Sequence, residues 1–79
     1  MDREEILQKI IDVIADQISV DVDEIDESTS LENDLEVDSL DLLQIVTAIE
    51  DEFNITIEDE AFGTVKTVGD ALTYIESLI

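Results

Sequence analysis

Apolar residues recur along this chain at helical spacing, and nothing in it reads as a strand pair. Ile6, Ile10, Ile14 and Ile18 repeat every four residues with Leu7 and Ile11 beside them, which predicts a first helix over about residues 3 to 18. Asp2, with Glu5 three residues on, has the acidic form of a capping box and marks its start. From 19 to 37 no period is sustained, yet Val20, Val22, Ile25, Leu31, Leu35 and Val37 are scattered through the segment. The expectation is a long loop that packs onto the core, and a loop of that length in a small domain usually carries function.

A second helix is predicted from about Ser39 to Phe53, with Asp38 as N-cap and Asn54 suited to its end. Thr56 to Phe62 ends at Gly63 and reads as a helix of one or two turns. Thr67, followed by Asp70, starts a last helix that carries Val68, Ala71, Leu72, Ile75 and Leu78-Ile79. No Asn-Gly or Asp-Gly turn joins strand-like segments, and proline is absent. The predicted fold is all-α: a small four-helix bundle with three principal helices, one short third helix, and a long loop between helices 1 and 2.

The second helix has two unlike faces. At about 100° per residue, Leu42, Ile45, Val46, Ile49 and Phe53 gather on one side as a core stripe. Burying each such side chain contributes roughly 1.5 to 3 kcal/mol before entropy. Leu40, Leu43, Gln44, Thr47 and Asp51 lie opposite, among Asp38, Asp41, Glu50 and Glu52. Two leucines inside an acidic rim resemble a small protein-binding face, although a covering loop would also account for either of them. Ser39 falls at the boundary between the faces, beside amides whose dipole favours an attached anion.

Composition narrows the chemistry. The 79 residues hold no cysteine and no histidine, so there is no disulfide, no thiol nucleophile, no imidazole base and no soft metal site. No catalytic residue and no metal ligand is assigned. Twenty-three acids against three bases, Arg3, Lys9 and Lys66, give a net charge of −20, which opposes nucleic acid and anionic lipid and favours partners with basic surfaces. The start Met1-Asp2-Arg3-Glu4-Glu5 lacks the apolar run of a signal peptide, and no segment has transmembrane length. A monomer without membrane insertion, in the cytoplasm, is expected.

By itself Asp38-Ser39-Leu40 is ordinary first-turn chemistry. Its context is wider: Asp34-Leu35-Glu36-Val37-Asp38-Ser39-Leu40-Asp41, then Ile45-Val46, Ala48 to Phe53 and Ile57, closely resembles the acyl carrier protein family. The similarity runs on through Thr67-Val68 and Ala71 to Tyr74-Ile75 and back to the first helix, so residues 1–79 read as a single acyl carrier domain. The resemblance implies that Ser39, flanked by Asp38 and Leu40, carries 4′-phosphopantetheine donated by coenzyme A through a Mg²⁺-dependent phosphopantetheinyl transferase. It implies a carrier, not an enzyme, that holds acyl chains as thioesters in fatty-acid biosynthesis, with the sulfur supplied by the cofactor. Ketosynthase, acyltransferase, reductase and dehydratase partners would dock through basic patches on Leu40, Asp41, Leu43, Thr47, Glu50 and Asp51.

Some positions depart from the family pattern. Glu36 stands where glycine is usual, so the loop cannot adopt a positive φ there at low cost. Gln44 replaces a frequent acid, Glu58 a frequent proline, and Phe62-Gly63 a smaller, more polar pair beside the pocket that shelters acyl chains. A carrier of the same fold for polyketide, aminoacyl or D-alanyl transfer is the nearest alternative. Two readings belong to other classes, an acidic interaction module mimicking nucleic acid and a Ca²⁺ loop. Asp21, Asp23 and Glu32 match the first, third and twelfth positions of such a loop, but Ile25 and Asp26 spoil it.

Overall fold

The computed structural model describes residues 2–79, apart from the side chains of Asp59 and Phe62. Three α-helices form, α1 (Arg3–Ile18), α2 (Ser39–Phe53) and α3 (Val68–Glu76), with 3₁₀ turns at Val22–Glu24 and Asp59–Gly63. The caps are those the sequence suggests. Asp2 accepts from the Glu5 amide at 2.9 Å, and Asp38 accepts from the Asp41 amide at 2.9 Å. At α3 the capping box closes in both directions between Thr67 and Asp70. Asn54, which tolerates the left-handed region, ends α2 at φ 55°, and the Ile55 amide turns back to the Glu50 carbonyl at 3.1 Å.

Ile6, Ile10 and Ile14 form the buried spine of α1, with Ile11 and Ala15 alongside. Against it pack Ile45 and Ile49 of α2 and Val68, Leu72 and Ile75 of α3. Both helices make their main contacts with α1. The wedge left between α2 and α3 is where the long loop contributes its apolar residues. Ile25, Leu31 and Val37 are buried and Val20 and Leu35 half-buried, as expected, whereas Val22 is exposed on its 3₁₀ turn.

Backbone pairing stitches the loop to the start of α3. The amides of Val68 and Gly69, orphans of a first helical turn, donate to Thr29 and Glu27 carbonyls at 3.0 and 2.8 Å, and the Leu31 amide donates to Lys66 at 3.0 Å. A Cβ on Gly69 would lie 3.0 Å from the Glu27 carbonyl oxygen, so a side chain there would press this carbonyl back by a few tenths of an ångström. Among the described residues the one strand-like feature is the Ser30–Thr67 bridge of this seam. Within the loop, Asp26 accepts from the Ser28 amide and hydroxyl at 2.9 and 2.7 Å, which holds its carboxyl below its usual value.

Three local expectations change. The short helix expected over 56–62 is a 3₁₀ helix of five residues, Asp59–Gly63, that begins three residues later than expected. Its N-cap, Glu58, is extended and makes no side-chain cap bond, and the Ile57 amide just before it is held by the Glu50 carboxylate at 2.7 Å. The last helix stops at Glu76, where the Leu78 amide tightens to a bond with Ile75 at 2.9 Å, and Leu78 and Ile79 are exposed. Third, Glu36 does adopt a positive φ, 55°. The buried neighbours Leu31 and Val37 fix it there, since the Val37 amide donates to the Leu31 carbonyl at 2.9 Å across the bend.

Two measurements follow. A left-handed non-glycine residue costs about 1–2 kcal/mol, and glycine loses about 0.5–1 kcal/mol through the unfolded chain. Glu36→Gly should therefore stabilise the protein by about 0.5–1 kcal/mol in urea unfolding. Asp70 accepts from the Lys66 and Thr67 amides, each at 3.2 Å, and these bonds hold its carboxyl below 3.8. A carboxyl depressed in the folded state stabilises above its unfolded pKa and loses that contribution as pH falls through the folded value. The stability gap between wild type and Asp70→Ala should stay level from about pH 7 to 5 and close below about pH 4.

Candidate functional site

Ser39 is the first residue of α2, exposed, immediately after the N-cap Asp38. Because one Asp38 carboxylate oxygen is engaged by the Asp41 amide, the cap fixes the first turn and presents Ser39 outward from it. A groove of about 520 Å³ opens at this serine, with apolar lining from Leu31, Val37, Leu42 and Val65 and charged groups from Glu32, Asp38 and Lys66. Leu31, Leu42 and Val65 also line an apolar slot of about 30 Å³ that reaches Ile45 and Ile75 in the core. Groove and slot are two sides of one thin apolar wall set in the wedge between α2 and α3.

The remaining candidate residues do not all stand alike. Leu40 and Leu43 are 63% and 52% exposed, so the preceding loop covers neither. Asp51 and Thr47 are exposed too, although the Thr47 hydroxyl donates to the Leu43 carbonyl at 2.9 Å. Asp41 and Glu50 are half-buried. Glu50 tethers the segment after α2 through the Ile57 amide, so part of its carboxylate is engaged inside the molecule. Sequence reasoning missed this tether, as it missed Lys66 in the groove; the one available signal was that Lys66 is one of three cations in so acidic a chain.

The Ca²⁺-loop reading gains nothing from the geometry. Asp21, Asp23 and Glu32 do not gather, and no group of three acidic side chains in metal-holding arrangement occurs among the described residues. No helix is long and apolar enough to cross a membrane among the described residues. The side chain of Phe62, expected to reshape the pocket, lies outside the described residues.

Ser39 thus stands exposed just after the cap, at the mouth of a groove of mixed polar and apolar lining. The family described as "Phosphopantetheine attachment site" matches residues 8–75. The acyl carrier protein of Lactobacillus acidophilus is 49% identical over 77 residues, covering 98% of this chain and 96% of that protein. The acyl carrier protein of Prochlorococcus marinus is 44% identical over the same shares. Among solved structures, that of acyl carrier protein from Enterococcus faecalis superposes with a TM-score of 0.78 at 36% identity, covering 98% of each chain. The solution structure of a putative acyl carrier protein from Anaplasma phagocytophilum gives 0.85 at 28% identity, covering 98% of this chain and 91% of that one. The chain belongs to the acyl carrier protein family. Its cofactor is covalently attached 4′-phosphopantetheine, and members of this family are carriers rather than enzymes.

The two acids expected to act together on the docking face should separate by experiment. Glu50→Ala removes a charge-assisted hydrogen bond from a half-buried site and should lower stability by about 1–2 kcal/mol in urea unfolding. Asp51→Ala, on the exposed face, should change it by less than about 0.5 kcal/mol.

Proposed function

We propose that Ser39 Oγ is the atom that accepts 4′-phosphopantetheine, and that the chain carries acyl intermediates of fatty-acid biosynthesis. The observation that carries this reading is the position of Ser39: exposed, on the first turn of α2, at the mouth of a groove that shares Leu31, Leu42 and Val65 with the apolar slot. The bound group supplies a thiol that holds the acyl chain as a thioester. The protein supplies the rest. Asp38 fixes the turn so that Oγ faces a transferase bringing coenzyme A and Mg²⁺, and the new phosphodiester oxygens meet first-turn amides and the positive end of the helix dipole.

The docking face follows from exposure and charge. Leu40 and Leu43 give an apolar centre, and Asp51, Thr47 and the outer parts of Asp41 and Glu50 give its rim. A carrier must be recognised in turn by the transferase and by ketosynthase, acyltransferase, reductase and dehydratase. One face with long-range attraction suits brief successive encounters better than a large interface would. The net charge of −20 steers such a chain to basic patches at diffusion-influenced rates. Support for the fatty-acid pathway comes from the near-complete mutual coverage with discrete acyl carrier proteins. A cytoplasmic location belongs to the same reading.

Incubation of the apo protein with coenzyme A, Mg²⁺ and a broad-specificity phosphopantetheinyl transferase should add one arm by intact-mass measurement. Ser39→Ala should add none. No gain in the wild type, or an undiminished gain in the variant, would overturn the assignment. Asp51→Lys should slow loading by about tenfold, the equivalent of about 1.4 kcal/mol lost from encounter with a basic partner. An unchanged rate would remove Asp51 from the docking face.

A further inference from the structure

The chain has three cations, and two of them are committed to holding α1 against its neighbours. Arg3 bonds Glu76 at the end of α3 and approaches Glu27 of the loop at 3.4 Å, and Lys9 meets Glu52 of α2 at 3.1 Å. Lys66 is different. Among the described residues no carboxylate lies within ion-pair distance of its ammonium, and its side chain lines the groove that opens at Ser39. Its neighbour Asp70 feels that charge but is engaged with the Lys66 and Thr67 amides instead.

The other charged members of the groove, Glu32 and Asp38, are acidic. A phosphodiester formed on Ser39 therefore adds a further negative charge to a wall that already repels it. Besides the first-turn amides of α2, the one cationic side chain lining the groove among the described residues is Lys66. Lys66 is also held rigidly at its backbone, since its carbonyl accepts from the Leu31 amide at 3.0 Å and its amide donates to Asp70 at 3.2 Å. Its stem leaves the seam between loop and α3 and lines the same groove as Ser39 at the α2 terminus.

The geometry points to Lys66 as a positioning residue whose ammonium pairs with the phosphodiester of the arm and lays the arm along the groove. This inference rests on attachment at Ser39. Paired in this way, the arm runs from Ser39 past Val65 and Leu31, over the wall that separates groove from slot, instead of projecting into solvent. The phosphodiester is the part of the arm that Lys66 recognises, so the same pairing serves the unacylated and the acylated carrier alike.

Labelling lysine alone makes the test direct, because the chain has only Lys9 and Lys66. After the mass gain has been verified, side-chain carbon and ammonium NMR signals are compared between apo and loaded protein. Loading should shift the Lys66 signals and leave those of Lys9, at the far ion pair with Glu52, in place. Raising salt toward about 1 M should shrink the Lys66 shift by screening. The phosphorus-31 relaxation of the arm should move toward that of the free, mobile phosphodiester in Lys66→Gln and return in Lys66→Arg. A merely structural role for Lys66 would leave the phosphorus signal unmoved. Loaded protein whose Lys66 signals do not respond, or a phosphorus signal indifferent to Lys66→Gln, overturns the inference while leaving the carrier reading intact. Absence of the mass gain overturns both.

Discussion

The rest of the structure depends on the isoleucine spine of α1. Ile6, Ile10 and Ile14 are buried at four-residue spacing, and α2 and α3 each pack chiefly against this ridge. Two helices that share a third as their common support need not close on each other. They leave a wedge, and the loop between α1 and α2 fills it with Leu31 and Val37. The groove at Ser39 and the adjoining slot are what remains of that wedge. The serine needs no special loop to reach them, because it is the first residue of the helix that forms one wall.

Charge acts on this scaffold in two opposed ways. A net charge of −20 on so small a body works against compaction, and surface ion pairs contribute only about 0–1 kcal/mol each. Arg3 and Lys9 still matter for where they are, because they join α1 to the loop, to α3 and to α2, the contacts that repulsion would loosen first. Apolar burial therefore does most of the holding, with the capped helix ends and the seam at Val68 and Gly69 meeting the backbone's hydrogen-bonding needs. The acidity that weakens the fold is what gives a carrier its long-range attraction to basic partners.

The two sides of α2 divide the work of the protein. Its inner face is locked into the core, and its outer face leaves Leu40 and Leu43 open to solvent. Two exposed leucines side by side fit the docking face proposed above, where a partner would cover them in passing. Ser39 lies where the faces meet, so a group attached there, as proposed, would be open to a docked enzyme and would also lie beside the groove. Glu50 links this helix to the segment that follows, since its carboxylate holds the Ile57 amide and so helps shape the far wall of the slot.

What the sequence determined by itself was everything that depends on neighbours in the chain. The limits of α1 and α2, the caps at Asp2, Asp38 and Thr67, the apolar stripe and the outward leucines all follow from four-residue spacing and first-turn chemistry. The Asp-Ser-Leu context, read over the whole chain, sufficed to recognise the family. Tertiary structure decided the rest. Glu36 is driven to a positive φ because Leu31 and Val37 on either side must both be buried, a demand that local propensity opposes. The segment expected to be a third helix shortens to a 3₁₀ helix where Glu50, seven residues before Ile57, takes its amide. Lys66 reaches the groove of Ser39 only because the loop pairs with the start of α3. These contacts join residues beyond the reach of helical spacing and first-turn chemistry, from six or seven positions apart to more than thirty, and no local pattern records their energies.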